Sequence, residues 1–162
     1  MKVHNNLLLE DQFKMLQDNL MGSDFPWYYN PGVNTEKDAV GIFQFTHCFY
    51  ANDKIRSSYF NLIEPFIKKI NPLSLLRVKA NLITKTDKHI EHGYHTDYDN
   101  YEKITTGILY INTNDGYTKF KNKKIVKSEE NKYIEFDCRE SHTGTSCTDQ
   151  NVRVAINFNY IK

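Results

Sequence analysis

The chain has 162 residues, enough for one domain with a substantial hydrophobic core. Its 21 basic and 20 acidic side chains nearly cancel, so the composition favours neither a nucleic-acid partner nor a membrane surface. Three cysteines cannot all pair, which excludes a disulfide framework. The N-terminus has only three consecutive apolar residues before acidic ones, a pattern typical of neither a signal peptide nor a membrane span. We therefore expect one cytoplasmic domain over residues 1–162.

Helical periodicity is confined to the first 72 residues. Apolar side chains recur at helical spacing from Leu9 to Leu20, and Gly22 follows where a helix would end. A second amphipathic helix is predicted between residues 55 and 70, with Pro65 as a bend or boundary. Between the two helices, residues 23–34 have the composition of a loop rich in aromatic side chains, and residues 41–50 alternate like a strand.

After residue 72 the pattern changes to short alternating strands. They are predicted at residues 75–83, 105–112, 117–121, 132–137 and 152–161. The sequence Asn114-Asp115-Gly116 predicts a hairpin turn between the second and third of these strands. Helices followed by antiparallel strands favour an α+β fold, with helical support over residues 1–72 and a β-sandwich or jelly-roll barrel over residues 73–162.

The segment HGYHTDYD, residues 92–99, is the first candidate for a metal site. Side chains two apart in an extended segment point the same way, so His95 and Asp97 can converge on one ion. His142, just after the strand 132–137, is a candidate third ligand beside the other histidines. Two histidines and one carboxylate leave one face of an octahedral ion open, as in non-haem iron(II) oxygenases. Taken alone, the His-x-Asp pair is equally well explained as a surface histidine beside a turn aspartate.

Arg153 and Tyr110 supply a second, independent indication. On the strand 152–161 the large apolar residues share one face, and Arg153 lies on the other. An arginine directed into a barrel is a fixed fork that can hold a carboxylate through two hydrogen bonds. The hydroxyl of Tyr110 could join the same carboxylate. The alternatives are an arginine that faces water and a tyrosine that belongs to the core.

With these positions in this order, residues 76–160 resemble the prolyl-4-hydroxylase-like branch of the iron(II)- and 2-oxoglutarate-dependent dioxygenases, including small bacterial and viral members. The matching motifs are HTD (95–97), YIN (110–112), NDGYTKF (114–120), SH (141–142) and RVAINFNY (153–160). The resemblance implies a double-stranded β-helix with supporting N-terminal helices. It also implies iron(II) bound by His95, Asp97 and His142, and the distal carboxylate of 2-oxoglutarate bound by Arg153 and Tyr110. Asn81 lies where the family's preceding strand supplies a further cofactor contact.

The resemblance further implies an enzyme that consumes O2 and 2-oxoglutarate, releases succinate and CO2, and hydroxylates a prolyl residue in a peptide or protein. A free amino acid or a nucleobase is an alternative substrate. The alternative from a different class is a metal-binding β-barrel without turnover that serves as an interaction module. The resemblance leaves the oligomeric state open and places a viral member in the host cytoplasm.

Two segments with many turn-forming residues, 24–34 and 84–94, could close over the open face of the metal. We expect Trp27, Tyr29 and Tyr94 to contact substrate, since flat aromatic rings suit a proline ring or another apolar group. Trp27 and Tyr29 could instead anchor the N-terminal helix. Residues 24–34 contain no lysine or arginine, which argues against a nucleic-acid substrate.

Two other groups of residues are rival candidates for a metal site. His89 and His92 lie at helical spacing with His95, but Gly93 and the flanking turn-forming residues disfavour a helix there. Cys138, His142 and Cys147 resemble part of a zinc site that would lack a fourth ligand.

Overall fold

The computed structural model describes residues 1–33, 42–99 and 103–162. The elements are, in chain order, β1 (Lys2–His4), α1 (Glu10–Met21), β2 (Tyr28–Asn30), β3 (Gln44–Ala51), β4 (Lys54–Ile55), a 3-10 helix (Phe60–Ile63), α2 (Glu64–Ile70), β5 (Ser74–Thr84), β6 (Ile104–Tyr110), β7 (Tyr117–Phe120), β8 (Ile125–Lys127), β9 (Tyr133–Asp137), β10 (His142–Gly144) and β11 (Val152–Ile161).

The strands form two antiparallel sheets. The larger has the order β1-β9-β6-β11-β5-β3-β2, with β4 paired to β3, and the smaller has the order β10-β7-β8. The segment before β6 continues the smaller sheet through two isolated bridges, from Glu91 to Thr145 and from His95 to His142. Two antiparallel sheets connected in this way make a jelly-roll, so the predicted double-stranded β-helix is confirmed.

Strand β11 separates two apolar clusters because its side chains alternate. Val154, Ile156 and Phe158 point to the side covered by the helices, where the ring of Phe66 in α2 stacks on Phe158 at 4.0 Å between centroids. Each buried aromatic or aliphatic side chain of this kind contributes roughly 1.5–3 kcal/mol. The opposite face of β11 carries Ala155, which belongs to a second cluster between the sheets. This inner side holds the polar residues of the site.

The second predicted helix is shorter than the periodicity indicated. Ile55 belongs to β4 and is 60% exposed, and helical structure begins only at Phe60. Pro65 lies in the first turn of α2, where its missing N–H is not needed, so it marks the boundary. The apolar spacing before residue 60 matched a helix by coincidence, because a two-residue strand has too few residues to show alternation.

The predicted hairpin is wrong, although its turn is present. The N–H of Gly116 donates to Asn114 Oδ1 at 3.0 Å, which closes a tight turn. The flanking strands do not pair with each other, because β6 pairs with β9 and β11 while β7 pairs with β8 and β10. Turn residues specify a change of direction, and the choice of neighbouring strand depends on the packing of the two sheets.

The other predicted elements hold with shifted ends. The predicted loop 23–34 contains the short strand β2. Residue 34, the last of this loop, and residue 41, the first of the predicted strand 41–50, lie outside the described residues. No helix in the described part of the chain is long and apolar enough to cross a bilayer.

Candidate active site

Three side chains converge where the smaller sheet meets the segment that precedes β6. The candidate ligand atoms of His95, Asp97 and His142 all lie within 4.8 Å of one another. His95 and His142 are brought together by their backbone bridge, and their ring centroids are 4.5 Å apart. His95 Nε2 lies 3.9 Å from Asp97 Oδ1. No other group of three such side chains with this spacing occurs within the described ranges.

Asp97 is held in place by residues of the larger sheet. Its Oδ2 accepts hydrogen bonds from Thr106 Oγ1 at 2.6 Å and from Asn159 Nδ2 at 2.8 Å. Burial opposes ionisation, but these hydrogen bonds and the nearby His142 and Arg77 outweigh it and lower the pKa of the carboxyl group. Asp97 is therefore a carboxylate at neutral pH, which is the form that binds metals.

Both histidines present a ring nitrogen suited to metal binding. His142 is 2% exposed, and its Nδ1 lies 2.9 Å from the carbonyl of Glu140, which can only accept a hydrogen bond. The Nδ1 atom of a neutral His142 therefore carries the proton, and Nε2 keeps its lone pair. Burial and the neighbouring His142 lower the pKa of His95 to about 4, so its ring is neutral at physiological pH.

A cavity of about 210 Å³ opens beside the three candidate ligands. Its wall combines apolar side chains with a row of polar ones that come from β5 and β11. Besides the candidate ligands, the lining residues include Arg77, Lys79, Asn81, Ile83, His92, Thr118, Gly144, Arg153, Ala155 and Asn157.

Arg153 is a buried cation without an anionic partner in the described part of the chain. It is 5% exposed, its Nε donates to Ser128 Oγ at 2.8 Å, and one terminal nitrogen donates to Thr118 Oγ1 at 3.3 Å. Both partners are neutral hydroxyls, and burial lowers the pKa of the guanidinium. A buried charge is costly unless it is paired, so this arrangement suits an anion that enters the cavity.

Glycines make room for this arginine. A Cβ at Gly116 would lie 2.6 Å from Arg153 Cδ and 2.8 Å from Asn114 Oδ1, so only glycine fits at that position of the turn. A Cβ at Gly144 would lie 3.3 Å from a terminal nitrogen of Arg153. The guanidinium is thus fixed by hydroxyls on one side and by close backbone on the other.

Of the two other predicted cofactor-binding residues, Asn81 and Tyr110, only Asn81 lines the cavity. Asn81 lines the cavity, as the sequence indicated. Tyr110 is fully buried behind it, where its hydroxyl donates to Thr118 Oγ1 at 2.8 Å and its ring lies 5.7 Å from the Arg153 guanidinium carbon. Tyr110 therefore contacts Thr118, which lines the cavity, and does not line the cavity itself.

The predicted substrate aromatics do not line the cavity. Trp27 packs against the helical core and donates its indole N–H to Leu20 O at 3.3 Å, which agrees with the alternative that it anchors the N-terminal helix. Tyr29 is 65% exposed and lies against Phe45 on the neighbouring strand. Tyr94 is 44% exposed and immediately precedes the first candidate ligand, so of the three it is nearest to the metal site in the chain.

The rival metal sites are not assembled. His89 Nε2 lies 3.2 Å from Asp115 Oδ2, and His92 lines the cavity on the Arg153 side. The thiol of Cys138 donates to the Tyr98 carbonyl, and the thiol of Cys147 donates to the Gln150 carbonyl. Both cysteines are buried, and burial raises the pKa of each thiol.

Several polar residues of the site were not recognised in the sequence. They are Thr106 beside Asp97, Thr118 and Ser128 beside Arg153, and the cations Arg77 and Lys79. The last two had a signal: with Asn81 they occupy alternate positions of one strand and therefore share a face. The threonines and Ser128 had none, because their roles depend on which strands are neighbours.

Comparisons with known proteins agree with this architecture. The carbocyclase SnoK of nogalamycin biosynthesis, described as non-haem and alpha-ketoglutarate dependent, aligns over 99% of this chain and 78% of its own, with a TM-score of 0.69 and 10% identity. A prolyl hydroxylase from Trichoplax adhaerens, solved with a peptide of hypoxia inducible factor, aligns over 99% of this chain and 82% of its own, with a TM-score of 0.62 and 14% identity. The chain has the fold of the iron(II)- and 2-oxoglutarate-dependent oxygenases.

A further structure of this fold shows the cofactors themselves. The epimerase SnoN, solved with Fe3+, alpha-ketoglutarate (2-oxoglutarate) and nogalamycin RO, aligns over 99% of this chain and 78% of its own, with a TM-score of 0.66 and 9% identity. No family model and no curated protein sequence matches the chain. Identities this low establish the fold of the 2-oxoglutarate oxygenases alone.

Proposed function

We propose that this protein is an iron(II)- and 2-oxoglutarate-dependent dioxygenase that hydroxylates an unactivated C–H bond. One observation carries the proposal: His95, Asp97 and His142 converge at one end of a cavity that also contains the buried, uncompensated Arg153. Neither feature requires the other in a purely structural protein. A metal-chelating dicarboxylate accounts for both.

The donor set fits iron(II). The imidazoles of His95 and His142 and the carboxylate of Asp97 would hold the ion, and this is the donor set of non-haem iron(II) oxygenases. Bound there, iron(II) supplies the activation of O2 that no side chain can provide. One oxygen atom of O2 enters succinate and the other enters the substrate hydroxyl, while 2-oxoglutarate loses CO2.

The chain's own residues bind and orient the reactants. Arg153 binds the distal carboxylate of 2-oxoglutarate, with Thr118 beside it and Tyr110 behind Thr118. Ile83 and Ala155 form an apolar wall that limits water in the cavity. Asn81 lines the cavity opposite Ala155, between the positions of Arg153 and Asn157 on β11, and offers a hydrogen bond to the body of the cosubstrate.

We propose a prolyl residue as the substrate, in a peptide or protein. The support is the sequence resemblance and the peptide-bound prolyl hydroxylase among the structures of the same fold. A small-molecule substrate is the second candidate, because SnoK and SnoN share the fold and the cavity of about 210 Å³ is small.

Succinate formation tests the proposal against a non-catalytic metal-binding module. Purified protein with iron(II), ascorbate, O2 and 2-oxoglutarate should convert 2-oxoglutarate to succinate slowly without substrate and faster with it. The Asp97→Ala variant should do neither. A folded, iron-loaded protein that binds 2-oxoglutarate and forms no succinate under any condition would favour the binding module.

A further inference from the structure

The cavity contains more positive charge than iron(II) and 2-oxoglutarate require. The charged residues that line it are Arg77, Lys79 and Arg153, with Asp97 as the single carboxylate. If Arg153 pairs with the distal carboxylate, and the metal's two charges pair with Asp97 and the other carboxylate of 2-oxoglutarate, then no further carboxylate of the cavity remains to balance the charges of Arg77 and Lys79. This count rests on the function proposed above.

The excess cations lie at the metal end of the cavity. Along β5, Asn81 is opposite Ala155, Lys79 is opposite Asn157 and Arg77 is opposite Asn159, and all three β5 residues line the cavity. Arg153 and Asn157 are four residues apart on β11, which separates their backbones by roughly 13 Å. Lys79 and Arg77 therefore form a second cationic region, separate from the one around Arg153.

Of the two residues, Lys79 is the freer. Arg77 is already engaged, since its Nε donates to Asn159 Oδ1 at 3.1 Å and a terminal nitrogen lies 3.8 Å from Asp97 Oδ1. Lys79 is half-buried and forms no side-chain hydrogen bond or ion pair with any described residue. Burial and the neighbouring Arg77 lower the pKa of its ammonium group. The site is thus built to be stabilised by an incoming anion.

We propose that Lys79, with Arg77 beside it, binds a carboxylate of the primary substrate, so that the enzyme acts on an organic acid whose carboxylate lies close to the reacting carbon. Within the proposed prolyl specificity, such an acid is free proline, a proline at a free C-terminus, or a proline beside an acidic side chain. A proline inside a neutral peptide would leave Lys79 unpaired.

Matched acid and amide probes test the proposal. The pairs are L-proline and L-prolinamide, acetyl-glycyl-proline and its amide, and acetyl-prolyl-aspartyl amide and its asparagine counterpart. Binding is measured in the anaerobic complex with iron(II) and 2-oxoglutarate, and turnover is measured as substrate-dependent succinate. At least one acid should bind about tenfold or more tightly than its neutral partner, and the pair that shows this identifies the source of the carboxylate.

Variants of the lysine locate the effect. Lys79→Met should weaken binding of the preferred acid about tenfold or more, Lys79→Arg should restore most of it, and the dissociation constant for 2-oxoglutarate should stay within about twofold in both. Lys85→Met, an exposed lysine just beyond the same strand, is the matched control and should leave acid binding unchanged.

Three results would overturn the proposal: equal binding of acid and amide in every pair, no binding of any acid, or a weakened 2-oxoglutarate affinity in Lys79→Met. The last would assign Lys79 to the cosubstrate. These results differ from failure of the proposed function, in which the wild-type protein forms no complex with iron(II) and 2-oxoglutarate at all.

Discussion

Asp97 illustrates how single residues prepare the candidate metal site. A buried carboxylate would normally favour its protonated form, yet two hydrogen bonds from the larger sheet keep it ionised and fix its orientation. The two donors, Thr106 and Asn159, both lie outside the His-x-Asp motif. Groups that orient a ligand in this way commonly change metal affinity by about 10- to 100-fold.

Thr106→Val should raise the dissociation constant for iron(II) by about tenfold or more, because valine keeps the shape of threonine and removes the donor to Asp97 Oδ2. Anaerobic iron(II) titration of the purified variant measures the change. Thr105→Val, its half-buried neighbour on the other face of β6, is the control. Equal iron affinity in the wild type and Thr106→Val would mean that Asp97 is positioned by its other contacts.

Arg153→Gln should raise the dissociation constant for 2-oxoglutarate by about 10- to 100-fold and change iron affinity little, since a hydrogen bond to a charged group contributes about 1.5–3 kcal/mol. The measurement is a 2-oxoglutarate titration of the iron-loaded protein under argon. Arg139→Gln removes an arginine that pairs on the surface with Asp137 and serves as control. An unaltered affinity in Arg153→Gln would leave the buried cation without a function.

His92 makes the stability of the metal-free protein depend on pH. Burial and the nearby Arg153 lower its pKa in the folded state to about 4, whereas its ordinary value is 6.5. As the pH falls from about 6.5 towards about 4, the unfolded chain takes up the proton first, so the free energy of unfolding decreases. Above about pH 6.5 this contribution to stability is fully present.

His92→Gln should therefore lose less stability than the wild type between pH 7 and pH 5. Urea denaturation of both proteins at the two pH values, in the presence of a chelator, gives the comparison. If both lost the same free energy of unfolding, the imidazole of His92 would not be shielded in the way the structure indicates.

At the level of elements, the turn between β6 and β7 determines the position of Arg153. Its glycine is required by the side chain packed against it, because a Cβ would lie 2.6 Å from Arg153 Cδ. The same turn transfers the chain from the larger sheet to the smaller one. A turn that the sequence identified as a hairpin thus contributes to the anion site.

Gly116→Ala should weaken 2-oxoglutarate binding about fivefold or more without removing iron binding, because the added methyl group displaces the guanidinium and leaves the three metal ligands in place. Parallel titrations with iron(II) and with 2-oxoglutarate separate the two effects. A protein that loses both affinities together would have been disturbed beyond the turn.

The elements also show what sequence periodicity can reveal. The alternation of β11 and the helical spacing of α1 were correct because ten and twelve residues repeat the pattern several times. Strands of two or three residues, such as β4 and β10, show too little alternation to be recognised. His142 begins β10, so its strand was missed although its proposed role was inferred from its position after a longer strand.

At the scale of the whole molecule, the jelly-roll and the convergence of His95, Asp97 and His142 agree with the sequence prediction. The contacts around them could not be predicted, because Thr106, Ser128 and Lys79 become neighbours of the site only through sheet order and register. The aromatic residues suggested a substrate wall, but Trp27 packs into the core, since large rings near a helix end are used for packing as readily as for binding.

Half of the arginines of the chain lie at the candidate site. The sequence contains four, and two of them, Arg77 and Arg153, line one small cavity. A nearly balanced overall charge still allows positive charge to be concentrated at one point. Charge balance over the whole chain is therefore a poor guide to the charge of its substrate.

The most direct test of the account is an anaerobic titration of the protein with iron(II) and 2-oxoglutarate, followed by visible absorption. We expect a metal-to-ligand charge-transfer band that saturates at one equivalent of each component in the wild type and is absent in His142→Ala and Asp97→Ala, with circular dichroism showing all three proteins folded. A folded wild-type protein that gives no band, or a His142→Ala variant that gives the full band, would contradict the assignment of the site.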